Sequence, residues 1–275
     1  MKAPILHKRT RLAINLYLNS PSHAIILSGL NGIGKLYVAK WLSHKLNLNI
    51  HVIIPGPNKT TVSIDQIREL YSLTKTGNNL AIIVPDSHLM SVPAQNSFLK
   101  LLEEAPTSVY FMLTTVSDNA VLSTIKSRSQ IIEILPTSIS DLLSYANVQD
   151  INDTTIKSLA VTTKRSPGTF IKLLSSPDLL EIHKNLISES KTFYTASKFE
   201  RHVMCINKNF DKSWVSAILD ALSIIIESIN LNSTLSKHQL KHLVKQANLI
   251  NEVSAAIINH NGSPKIHMSK LIDQL

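Results

Sequence analysis

The sequence predicts an α/β domain built on a parallel five-stranded sheet, followed by an all-α region. Three observations carry that expectation. Short β-branched apolar runs alternate with helical patterns through the first half. The first of these runs leads into a glycine-rich loop that opens a helix. After Pro136 no convincing strand recurs.

Taken in order, Met1–Leu18 interleaves basic with apolar residues and has no long apolar stretch. It predicts an amphipathic helix and not a signal peptide. The runs Ala24–Leu27, Ile50–Ile54, Leu80–Val84, Val109–Leu113 and Ile131–Leu135 are nearly all apolar, as strands buried on both faces of a parallel sheet are. Helices are expected between them at Lys35–Leu46, Ser63–Leu73 and Ala94–Glu104. Ser63 and Gln66 have capping-box spacing, and Pro106 ends the third helix. This α/β domain is expected to cover residues 1–136.

Shorter helical patterns follow at Ile139–Ala146, Thr154–Thr162 and Gly168–Leu174, predicting a small helical lid over 137–176. Longer ones at Leu179–Ser190, Ala196–Asn207, Ser213–Ile229, Lys237–Asn259 and Lys265–Leu275 predict a helical C-terminal domain over 177–275. In Lys237–Asn259 the residues Leu240, Leu243, Val244, Ala247 and Ile250 recur at helical spacing and mark the expected buried face. The run Ile224-Ile225-Ile226 lies between Asp220 and Glu227, too short an interval for a membrane span.

Composition narrows the function classes. In 275 residues, 44% hydrophobic content suits a packed core, and 5% aromatic content argues against a module that stacks bases. The single cysteine, Cys205, can form neither an internal disulfide nor a thiolate zinc site, so a reducing cytosol is the expected setting. The eleven histidines have no ligand spacing, and no metal is expected. The net charge of +9 favours an anionic partner. It reads as dispersed, because no segment is a block of Lys and Arg, and so gives only mild support for work near DNA or RNA.

The sharpest local signal is Gly29-Leu30-Asn31-Gly32-Ile33-Gly34-Lys35-Leu36, between a strand and a helix. Gly29, Gly32 and Gly34 would let backbone N–H groups curl around phosphates, and Lys35 would reach terminal phosphate oxygens. The usual last residue is Ser or Thr, whose hydroxyl binds magnesium; here it is Leu36. A P-loop ATPase also needs carboxylates at the end of another strand. In Ile82-Ile83-Val84-Pro85-Asp86 the metal position holds Pro85, and Asp86 comes one residue later, where the base belongs. Both magnesium ligands are therefore missing from the pattern.

Further segments follow in a fixed order: Asn96-Ser97-Phe98-Leu99-Lys100-Leu101-Leu102-Glu103-Glu104, then Phe111–Thr115, then Ser127-Arg128-Ser129 before the fifth strand. In this order the chain resembles the clamp-loader branch of AAA+ proteins, the subunits that load the sliding clamp for bacterial DNA polymerase III. The resemblance is specific from Ser22 to Ile134. It extends more weakly to Arg165-Ser166-Pro167-Gly168 and loosely to Asn259-His260-Asn261.

The resemblance implies a P-loop AAA+ domain, a helical lid and a helical collar. It implies that Thr115 is the sensor of the terminal phosphate. Arg128 would be an arginine finger acting in trans on a neighbour's ATP. Thr169 stands where active relatives carry a second sensor arginine. It further implies a non-catalytic clamp-loader subunit that requires no cofactor and binds ATP weakly or not at all. Its expected partners are the tau/gamma motor and delta subunits and, through the complex, the sliding clamp and primer–template DNA in the bacterial cytosol. The four-cysteine zinc module of many relatives is missing. A self-sufficient P-loop ATPase of DNA metabolism using Lys35 and Asp86 is the alternative, opposed by Leu36 and Pro85.

Overall fold

The computed structural model describes residues 1–275 apart from 57–58, 60, 77, 117–118, 120, 147–152, 233–235 and 260–261, so part of the Asn259-His260-Asn261 resemblance lies outside the described residues. Its contacts divide it into two compact units, one of residues 1–156 with 165–170 and one of 157–164 with 171–275. The residues expected to form a lid are shared between them.

The first unit runs α1 (Lys8–Asn19), β1 (Ala24–Ser28), α2 (Lys35–Lys45), β2 (Asn49–Val52), α3 (Ile64–Thr76), β3 (Leu80–Val84), α4 (Val92–Glu104), β4 (Val109–Thr115), α5 (Ser123–Lys126), β5 (Gln130–Glu133) and α6 (Ile139–Ala146). All strand pairs are parallel, in the order β2-β3-β4-β1-β5. Side chains of the central strands alternate between two cores. Ile26, Ile82, Val84, Phe111 and Leu113 face α3 and α4, where Phe98 and Leu101 are fully buried. Ile25, Leu27, Ile83 and Met112 face α1 and α2, meeting Ile14, Tyr17, Val38 and Leu42.

Three expectations for this unit need correction. Every residue of β1 and β3 is buried, but β2 and β5 are edge strands whose exposure alternates, with Asn49, His51, Ile131 and Glu133 open to solvent. An edge strand is covered by neighbours on one side only, so its apolar residues do not mean burial on both faces. The first helix begins at Lys8, not at Met1. Pro4 disfavours a helical Ala3, Leu6 is drawn into the α1/α2 core, and His7 accepts the Arg9 N–H to cap the helix. Conversely, α4 starts two residues early, at Val92: Ser91 Oγ accepts the Ala94 N–H and Pro93 fits the first turn.

The helices α7 (Asp153–Thr162) and α8 (Pro167–Leu174) pass between the units, and the second unit continues with α9 (Pro177–Thr195), α10 (Lys198–Asn207), α11 (Lys212–Asn232), α12 (Lys237–Asn259) and α13 (Pro264–Gln274). Its core joins Phe193, Cys205, Val215, Leu222, Ile250, Val253 and Met268. Arg201 crosses the α9–α10 turn and donates to the Phe193 and Tyr194 carbonyls at 2.9 and 2.7 Å, satisfying groups at the end of α9. Burial pushes the Cys205 thiol up to about 11. The buried face of α12 is centred on Leu243, Ile250, Val253 and Ile257, while Leu240 and Val244 are exposed, which corrects the expected stripe. Among the described residues no helix is long and apolar enough to cross a membrane.

Phe98 packs edge-on against Phe111 at 5.4 Å between ring centroids, with no exposed surface on either. Phe98→Ala is expected to lower the stability of the first unit by about 3–5 kcal/mol. Trp41 lies in that unit and Trp214 in the other, so fluorescence in a Trp214→Phe background follows the first unit alone. An unchanged denaturation midpoint would contradict the packing.

Candidate nucleotide site

The glycine-rich loop leaves the C-terminal end of β1, the place where parallel α/β sheets present ligand sites. Gly32 and Gly34 hold φ of 74° and 98°, a left-handed region that disfavours side chains. Thr115, fully buried, ends the neighbouring β4, and its carbonyl accepts the Gly29 N–H at 3.1 Å. Asp86 follows β3 in a left-handed conformation, and its N–H donates to Thr114 Oγ1 at 3.0 Å. The structure thus gathers Gly29, Gly32, Gly34, Lys35, Asp86 and Thr115 at the ends of three adjacent strands.

Lys35 is only 7% exposed. Its Nζ donates back to the Gly29 and Leu30 carbonyls at 2.9 and 3.0 Å. Burial lowers its pKa below the ordinary lysine value, while the nearby charge of Asp86 opposes that shift. Leu36, where a magnesium-binding hydroxyl would stand, packs against the α1/α2 core. Pro85 ends β3 without a carboxylate. Among the described residues no group of three or more His, Cys, Asp and Glu is placed to hold a metal.

The loop has a second neighbour that local sequence patterns did not reveal. The Thr169 N–H, in the first turn of α8, donates to the Gly32 carbonyl at 2.8 Å. A methyl group on Gly168 would collide with the Gly32 carbonyl oxygen and come within 3.0 Å of the Gly34 nitrogen. One on Gly32 would collide with the Thr169 hydroxyl. The start of α8 therefore lies directly on the glycine loop, beside the Gly34 amide that a phosphate would need as a donor. The small residues at 168 and 169 permit this approach.

Arg128 stands apart from the loop, on the connection between α5 and β5. Its Nη2 lies 2.7 Å from Glu103 Oε1 at the end of α4, and Nη1 donates to the Thr124 carbonyl at 3.2 Å. The pair is about half exposed, and such pairs contribute roughly 0.2–1 kcal/mol. Its partner is not Glu133, the neighbour that proximity in sequence suggests. The guanidinium is held in place but keeps an open side.

Gly168→Ala separates two opposing effects. Alanine favours helix over glycine by about 1 kcal/mol, but the new methyl meets loop backbone that cannot swing aside, an overpacking cost of about 1–3 kcal/mol. The variant is expected to melt below the unmodified chain; a higher melting temperature would show that α8 does not press on the loop.

Comparison with known proteins finds relatives that share this part of the chain. A family model described as DNA polymerase III, delta subunit, matches residues 43–138, a segment that holds Asp86, Thr115 and Arg128. The DNA polymerase III subunit delta' of Buchnera aphidicola subsp. Baizongia pistaciae is 20% identical over 272 residues, covering 86% of this chain and 79% of that protein. The Escherichia coli K12 subunit delta' is 30% identical over 90 residues, 31% of this chain and 27% of that one. A DNA polymerase III gamma subunit-related protein from Thermotoga maritima shares the fold with a TM-score of 0.54 at 16% identity, over 97% of this chain and 99% of its own. The chain is thus similar to delta' subunits of DNA polymerase III, over most of its length in one relative and over the segment that holds the site residues in the family model.

Proposed function

We propose that this chain is a non-hydrolysing subunit of a bacterial clamp loader, one that assists neighbouring motor subunits in placing the sliding clamp on primed DNA during replication. One contrast within the first unit carries the reading. The chain's own glycine loop is covered by α8 and lacks both magnesium ligands, whereas Arg128 is oriented by Glu103 and half exposed. Such a subunit serves a neighbour's ATP and not its own.

Without a hydroxyl at position 36 or a carboxylate at position 85, no metal is well held to stabilise charge developing in phosphoryl transfer. Lys35, turned onto loop carbonyls, would have to give up two hydrogen bonds to meet a phosphate. ATP binding is accordingly weak or absent, and no cofactor is required. Leu36 and Pro85 disfavour the self-sufficient ATPase.

Gamma and tau subunits of DNA polymerase III also resemble this chain, and they name the class of motor it would join. A delta subunit, the sliding clamp and primer–template DNA complete the assembly in the bacterial cytosol. Residues 137–176 act as the lid, and the helices from 177 onward supply the collar through which the subunit assembles.

Arg128 is the residue that touches the neighbour's substrate. Its planar guanidinium stays charged and can contact two phosphate oxygens at once. A complex reconstituted with Arg128→Ala is expected to assemble normally but to hydrolyse ATP more slowly when stimulated by DNA and clamp. A finger contributes on the order of a thousandfold at its own site, and the other motor sites dilute that in the total. Arg128→Lys should rescue poorly. Unchanged ATPase and clamp loading with Arg128→Ala would overturn the role.

A further inference from the structure

The charge of this chain is not dispersed, contrary to the expectation from composition. The first acidic residue is Asp65. Eight of the 28 Lys and Arg precede it, leaving 20 basic against 19 acidic residues in the rest of the chain. Chance would put about four carboxylates in those 64 positions. Nearly the whole net charge of +9 therefore belongs to the N-terminal segment. The signal is a lack of acids, which a search for runs of Lys and Arg misses.

Folding gathers much of that segment into one layer, because α1 and α2 cover the same face of the sheet. The stretch before α1 is tied to α2 by the Tyr37 hydroxyl, which donates to the Lys2 carbonyl at 2.8 Å. Lys8, Arg9 and Arg11 are exposed at the start of α1, and Lys45 at the end of α2, its ammonium 5.6 Å from the Trp41 ring centre. None of the four takes part in the ion pairs of the described residues. Asp141 is near enough to Arg11 to feel its charge. Three cations and no acid in the first turn of α1 also oppose the helix dipole. Apart from Asp141 near Arg11, the fold leaves the positive charge of this face unbalanced.

We propose that the α1/α2 face binds the phosphate backbone of duplex DNA without reading its sequence. The cations sit at the ends of two helices, and α2 alone, with 11 residues, is about 16 Å long. An extended polyanion can neutralise them together, and a small anion cannot. The exposed Tyr37 has its hydroxyl engaged with Lys2, so it is not free to read a base edge. The contact lies on this chain alone and goes beyond the clamp-loader reading without depending on it. Leu12 and Leu16, exposed further along α1, would suit an acidic amphipathic protein segment, which makes such a segment the competitor to test.

The experiment is fluorescence anisotropy of a labelled duplex of about 20 bp, titrated with the full chain over a range of salt. Affinity is expected to fall steeply with salt. Lys8→Ala/Arg9→Ala/Lys45→Ala should weaken binding at least about tenfold at low salt and flatten the log–log slope by about 3. A charge-preserving Lys8→Arg/Lys45→Arg variant should bind like the unmodified chain. So should Lys237→Ala/Lys241→Ala/Lys245→Ala, which removes an equal number of exposed cations from α12. Unchanged affinity and slope in the α1/α2 variant would overturn the proposal, as would an equal loss in the α12 variant. Displacement of the DNA by an acidic peptide of equal charge at the same concentration would overturn it too, and would reassign the face to a protein partner.

Discussion

Around the 2.8 Å hydrogen bond from the Thr169 amide to the Gly32 carbonyl, the glycine loop and the start of α8 are packed against each other. The bond ties the start of α8 to a loop whose conformation already depends on glycines with positive φ. A methyl on Gly168 would strike the Gly32 carbonyl and one on Gly32 would strike the Thr169 hydroxyl, so loop and helix fix each other. Lys35 completes the closure from within by binding the loop's own carbonyls. The loop's carbonyls are thus engaged by the chain's own Lys35 and Thr169. Position 36 adds no hydroxyl and position 85 no carboxylate to this arrangement, the two groups through which a P-loop site holds magnesium.

Away from the loop, charged residues are placed according to face. The layer of α3 and α4 carries carboxylates that orient cations, as Glu103 orients Arg128. The layer of α1 and α2 has cations that none of the described ion pairs neutralises. An exposed pair such as Arg128–Glu103 is weak enough to be exchanged for a stronger anion yet sufficient to narrow the arginine's rotamers. The first layer is thus suited to delivering one directed charge, and the second to presenting a diffuse one.

Much of the fold could be read from local pattern. The runs that became β1, β3 and β4 are apolar because they are buried, and the glycine spacing marked the loop correctly. Reading failed where burial is decided by distant partners. The strands β2 and β5 look like their neighbours in sequence but lie at the edges of the sheet. Leu240 and Val244 keep helical spacing yet face solvent, because α12 turns Leu243 and Ile250 inward. At the site, Gly34 and Lys35 announced themselves locally. The pairing of Gly168 and Thr169 with the loop, and of Glu103 with Arg128, joins segments far apart in the chain and leaves no local signature.

Equilibrium titration of the isolated chain with a fluorescent ATP analogue and magnesium, followed by an assay for phosphate release, tests the closed loop most directly. A loop occupied by α8 and without metal ligands predicts no saturable binding up to about 1 mM and no steady turnover. Saturable micromolar binding that Lys35→Ala abolishes, accompanied by hydrolysis, would contradict it.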